Sequence, residues 1–122
     1  GAFALLAACA SNTVKSNSIE QRAQARWDAL LSGDLAGAYE FLSPGYRSSV
    51  SSLAYQRSLL LSAVRHTDAE FKRSECGEST CEVTVSLGYS ISGALPGVRS
   101  YDGQKDIVES WILIDGMWYY VP

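Results

Sequence analysis

The hydrophobic period of this chain changes once, after about residue 65, and that change constrains the fold more than any other feature. Before it, apolar residues recur at helical spacing; after it, they alternate. Ile19, Ala23, Trp27, Leu30 and Leu31 make one helical face, with Ser18 as N-cap and Gln21 three residues on. Gly33 is the expected left-handed stop, and Asp34 caps the next start. Leu35, Ala38, Tyr39 and Leu42 predict the inner face of a short second helix that ends at Pro44-Gly45. Ser51 or Ser52 opens a third helix with Leu53, Arg57, Leu60 and Val64 on one side, and the run Leu59-Leu60-Leu61 predicts deep burial.

From His66 to Glu75 polar and apolar residues mix as in a half-exposed strand. Cys81, Val83, Val85, Leu87, Tyr89 and Ile91 then alternate strictly, as a strand with one buried face does. Gly93 to Gly103 reads as a loop, and Lys105 to Asp115 as a long strand. Asp115-Gly116 is a two-residue type I′ hairpin signal, and Met117 to Val121 returns after it. Three N-terminal helices followed by about four antiparallel strands make an α+β fold, with the helices packed on one face of a curved sheet. A strongly bent sheet around the first helix would form a cone with a pocket inside.

The 122 residues suffice for one domain with a real core. The net charge is -3 and no basic stripe is present, so nucleic-acid binding has little electrostatic support. No apolar run approaches the roughly 18 residues of a bilayer span.

The run Leu6-Ala7-Ala8-Cys9 resembles a bacterial lipobox. Residues 1–8 then read as the end of a lipoprotein signal peptide, Cys9 as the lipidated residue, and 9–17 as a polar tether ahead of a domain over 18–122. The resemblance implies several acyl chains on Cys9, which anchor stably where one does not. It places the protein in the bacterial cell envelope. Ala10 is not the aspartate associated with inner-membrane retention, so in a Gram-negative cell the resemblance points to the outer membrane, facing the periplasm. In that oxidising space Cys76 and Cys81, flanking Gly77-Glu78-Ser79-Thr80, are expected to close a hairpin end as a disulfide. Two thiols and the single His66 are too few ligands for a metal site, and the spacing is not the Cys-x-x-Cys of a redox pair.

The stretch from Arg26 through Gly33-Asp34 to Pro44 resembles the opening of NTF2-like proteins, the superfamily of ketosteroid isomerase and the SnoaL-type cyclases. The order of elements and the closing Trp118-Tyr119-Tyr120 hairpin fit the same pattern. The resemblance implies a cone with a pocket, and pairing of two copies through the open sheet face. It does not imply an activity, because one fold hosts many functions. Aligned on Gly33-Asp34, the isomerase tyrosine falls on Arg26 and its base near Val50. No carboxylate lies between Glu40 and Asp68, which argues against that chemistry here.

Arg26 is the candidate to hold an anion, by its planar fork. Trp27, Tyr39, Tyr46, Tyr55, Tyr89 and Trp111 combine apolar area with a polar tip and are candidates to line an amphipathic pocket or to fill the core. His66 is the one candidate base, with Asp68 and Glu70 on the strand beside it. No nucleophile elbow and no Gly-rich phosphate loop occurs, and no cofactor is expected. The expectation is a non-enzymatic, lipid-anchored module with a small apolar ligand or an envelope protein as partner. A SnoaL-type acid/base enzyme using His66 and Asp68, and an interaction domain of an envelope complex, are the alternatives.

Overall fold

The computed structural model describes residues 18–93, 96, 97 and 99–122. The lipobox, Cys9 and the tether lie outside the described residues. Four helices come first: α1 (Ile19–Ser32), α2 (Leu35–Tyr39), α3 (Pro44–Ser49) and α4 (Ser52–Leu60). Four strands follow: β1 (Val64–Cys76), β2 (Thr80–Ser92), β3 (Ser100–Ile114) and β4 (Met117–Val121). They pair in chain order as an open antiparallel meander. The fold is thus α+β with N-terminal helices, and its sheet is not closed.

Local chemistry sets the helix ends. The Ser18 hydroxyl accepts from the Gln21 N–H, and Gly33 stops α1 at φ 85°. Asp34 caps α2 through the Gly37 N–H at 3.0 Å, and Ser51 caps α4 through the Ala54 N–H at 3.1 Å. Pro44 does not end α2, as the sequence reading has it: α2 stops at Tyr39, and Pro44 opens α3. Ser43 is the N-cap and Pro44 sits in the first turn, where its missing N–H costs nothing and its fixed φ suits the helix. The third helix expected from sequence is therefore the fourth. At the far end Asp115 and Gly116 take φ 51° and 78°, the type I′ turn that their sequence specifies.

Two cores hold the layers together. In the larger, Ala23 and Trp27 of α1 pack on Cys81, Val83, Val85 and Leu87 of β2 and on Trp111 of β3. In the smaller, Ala38, Tyr39, Leu42 and Tyr55 join α2 to α4. Tyr39 Oη donates to the Val50 carbonyl at 2.6 Å, with that of Arg47 at 3.1 Å, which ties down the chain between α3 and α4. Leu42 bridges to Tyr120 of β4, and the Ser43 and Tyr120 N–H groups donate to Tyr120 and Phe41 carbonyls, both at 2.8 Å. Cys76 and Cys81 face each other across the β1–β2 turn as a disulfide.

The deep burial expected of Leu59-Leu60-Leu61 is not found. Leu59 is partly buried, but Leu60 is 74% and Leu61 85% exposed, and Leu53 is exposed as well. On α4 the buried position is taken by Tyr55, so the helix turns a different stripe inward from the one its leucines suggest.

Candidate functional site

The site is built around a carboxylate in the sheet. On β3, Lys105, Ile107, Glu109 and Trp111 alternate onto the helix-facing side, opposite Leu87, Val85, Val83 and Cys81 of β2. Glu109 therefore stands in the core, 2% exposed. Its Oε2 accepts from Arg26 Nη1 at 2.8 Å and from Trp27 Nε1 at 2.9 Å, and its Oε1 accepts from Trp111 Nε1 at 3.2 Å. Arg26 is 6% exposed, and its guanidinium lies 3.9 Å from the centre of the Tyr120 ring. A buried charge is tolerated when it is paired and hydrogen-bonded, and this carboxylate is both. Arg26 Nε has no acceptor among the described residues. Tyr120 has its hydroxyl pKa raised above 10.0 by burial, opposed by Arg26 and reinforced by Glu109.

Above this network lies a cavity of about 630 Å³ between the C-terminal half of α1, the end of α4, the start of β1 and the face of β2 and β3. Leu30, Leu31, Leu35, Leu59, Leu60 and Ile107 give it an apolar wall. Arg26, Glu109 and Tyr120 line it, as do His66, Arg65 and Lys105. Its size falls within the roughly 300–1,000 Å³ typical of ligand pockets.

His66 reaches the cavity because of a bulge. In regular alternation with Ala69, residues 67 and 65 would face the helices. The register instead pairs Asp68 with Gly88 and His66 with Tyr89, leaving Thr67 as the extra residue. His66 thus turns inward and sets its ring edge-on to Trp27, with centroids 5.1 Å apart. Its pKa is lowered below 6.5 by burial first, then by the charges of Lys105 and Arg26. The same bulge leaves Asp68 on the outer face, where Glu70 also lies exposed, so no His66–Asp68 pair forms. The Asp68 carboxylate accepts instead from the Thr67 hydroxyl at 3.1 Å.

The other candidates divide between cores and surface. Arg26 and Trp27 line the cavity; Trp111 is buried beneath it and holds Glu109. In the smaller core Tyr55 packs tilted against Tyr39 and edge-on to the partly buried Tyr46. Tyr89 packs beside Tyr101 and under Lys105, in a groove next to the cavity rather than within it. Among the described residues no group of three His, Cys, Asp or Glu side chains converges. Glu109 and Lys105 are not among the candidate site residues read from the sequence, and Tyr120 enters there only as part of the Trp118-Tyr119-Tyr120 hairpin. The signal for Glu109 was its phase: an acidic residue at the alternate positions of Ile107 and Trp111 must share their buried face.

No family model and no curated protein matches this chain. Among solved structures it is similar to a SEC-C motif containing protein from Rhodopseudomonas palustris, known from its solution structure. The TM-score is 0.67 at 14% sequence identity, covering 88% of this chain and 77% of that one. Identity this low shows the fold alone. The NTF2-like assignment is corrected accordingly: the neighbour is described by a SEC-C motif, and the open four-stranded sheet does not establish a cone. The Gly33-Asp34 pattern that suggested it is a local capping solution, available to any two helices joined by a tight turn.

Proposed function

We propose that this protein is a non-enzymatic ligand-binding module, anchored in the bacterial envelope through lipid on Cys9. The observation that carries the reading is the apolar-walled cavity between the helices and the sheet. Among the described residues its lining holds one carboxylate, and Glu109 is already committed to three donors, so its role is to fix Arg26, Trp27 and Trp111 rather than to move a proton. The Cys76–Cys81 disulfide supports an oxidising compartment, where such bonds persist. The reading places the protein on the outer membrane, facing the periplasm, in a Gram-negative cell.

Native mass spectrometry of residues 11–122, exported without Cys9 and purified from the periplasm, tests the binding role. The expected result is a reproducible extra mass on each subunit that is lost on denaturation; a bare mass overturns it. Labelling of cells with a radioactive fatty acid tests the anchor: Cys9→Ala is expected to abolish incorporation, and labelling that survives the substitution overturns it. The exposed Leu53, Leu60 and Leu61 favour a second reading, in which α4 docks on an envelope protein. Crosslinking in intact cells from position 61 checks it, and the absence of any adduct removes it.

A further inference from the structure

The charges around the cavity are lopsided. Arg65, His66 and Lys105 line it, and among the described residues neither Arg65 nor Lys105 has a carboxylate partner. The one acidic group on the lining, Glu109, is neutralised by Arg26 at 2.8 Å. Lys105 Nζ lies 5.6 Å from the centre of the Tyr89 ring, across the sheet from β1. His66, on β1, shares the lining with Arg65 of the same strand and Lys105 of β3. Leucines from α1 and α4 line the same space, among them the exposed Leu60.

From this division we infer that the cavity takes a single-chain anionic amphiphile, its carboxylate among Arg65, His66 and Lys105 and its alkyl chain along the leucine wall. The inference rests on the ligand-binding reading and names the class of ligand. The physical requirements are met at both ends. Arg65 and Lys105, both exposed and without a carboxylate partner among the described residues, can make charge-assisted hydrogen bonds to a carboxylate. Each methylene buried on the apolar wall raises affinity by up to about fourfold. A neutral chain of equal length gains only the second contribution, and a cationic one is repelled by the first.

The test compares dodecanoate, dodecanol and dodecyltrimethylammonium, each below its micelle concentration, on the 122-residue chain. The fluorescence of the three tryptophans, of which Trp27 lines the cavity, reports occupancy, and the proton NMR signal of the sole histidine reports charge at the mouth. Dodecanoate is expected to bind about ten- to a hundredfold tighter than dodecanol, the range of a charged hydrogen bond, and to raise the His66 pKa. Lys105→Met with Arg65→Met is expected to erase that advantage, so that dodecanoate binds no tighter than dodecanol. Equal binding of dodecanoate and dodecanol overturns the anionic class but leaves the pocket reading intact. Binding of none of the three overturns the pocket reading itself. If the protein sediments with phosphatidylglycerol vesicles yet ignores free dodecanoate, the cations serve a bilayer surface and the inference is overturned.

Discussion

Glu109→Ala is the most demanding perturbation that the structure defines. The substitution removes the acceptor of three donors at once and leaves Arg26, 6% exposed, as an unpaired buried cation. Breaking a buried ion pair on one side costs about 3–5 kcal/mol. Each indole N–H left without an acceptor costs about 1–3 kcal/mol, partly overlapping with the first loss as the site relaxes. A net destabilisation of about 4 kcal/mol or more is expected, against a total of about 5–15 kcal/mol for a domain of this kind. Glu109→Gln keeps an oxygen for one indole and should fall between. The decisive comparison is Arg26→Leu with Glu109→Leu, which removes both charges together. Replacing a buried pair by apolar residues is often close to neutral, so the double variant should recover at least about 2 kcal/mol over the sum of the singles. Urea unfolding followed by tryptophan fluorescence measures these three variants and the two leucine singles. If Glu109→Ala costs under about 1 kcal/mol, or if the single costs simply add, the network is not the centre of this core and the reasoning fails.

Four further expectations follow from named contacts. Reducing Cys76–Cys81, or replacing both with Ser, should cost about 2 kcal/mol for so short a loop, read from the shift in urea midpoint at constant slope. Tyr39→Phe orphans the Val50 carbonyl and should cost about 1–2 kcal/mol in the same assay, with amide exchange quickening first between α3 and α4. Leu61→Ser should change stability by less than about 0.5 kcal/mol, because the side chain is already in water; a large loss would place it in an interface instead. His66 has a folded pKa below its unfolded value of 6.5, so the unfolded chain binds its proton more readily. Its neutral form is the one the fold accommodates: stability should be undiminished above pH 6.5 and fall as pH drops towards the folded pKa, a slope that His66→Gln removes.

What the sequence makes legible here is what is encoded locally. Ser18, Gly33, Asp34 and Ser51 sit within three residues of the groups they satisfy, and the strict alternation of β2 needs no partner to be read. What is not legible depends on distance or on an irregularity. Glu109 shares a face with Ile107 and Trp111, but carboxylates in strands usually face water, and its partner Arg26 lies 83 positions away. His66 belongs inside only because Thr67 is looped out, an event that alternation cannot announce. The leucines of α4 show that an apolar run does not say which side of a helix the tertiary structure will cover. The family resemblance failed for a related reason: its most visible residues were caps, and caps are shared by unrelated folds.

The irregular pairing of the sheet bears on how the protein behaves when crowded. β1 is an edge strand thirteen residues long, but the bulges at Thr67 and Lys72 break it into short straight runs, and the Gln24 side chain takes its Ala69 carbonyl and Phe71 N–H. β4 covers only Ser110–Ile114 of β3, and its own outer side is met by the chain at Phe41–Ser43. Among the described residues the rest of that side of β3 has no strand neighbour, and Asp102, Lys105 and Asp106 punctuate it. An open sheet is otherwise a template on which further chains can stack. Here each border is interrupted, occupied or charged, so concentrated solutions should stay free of fibres, and a straightened border should seed them.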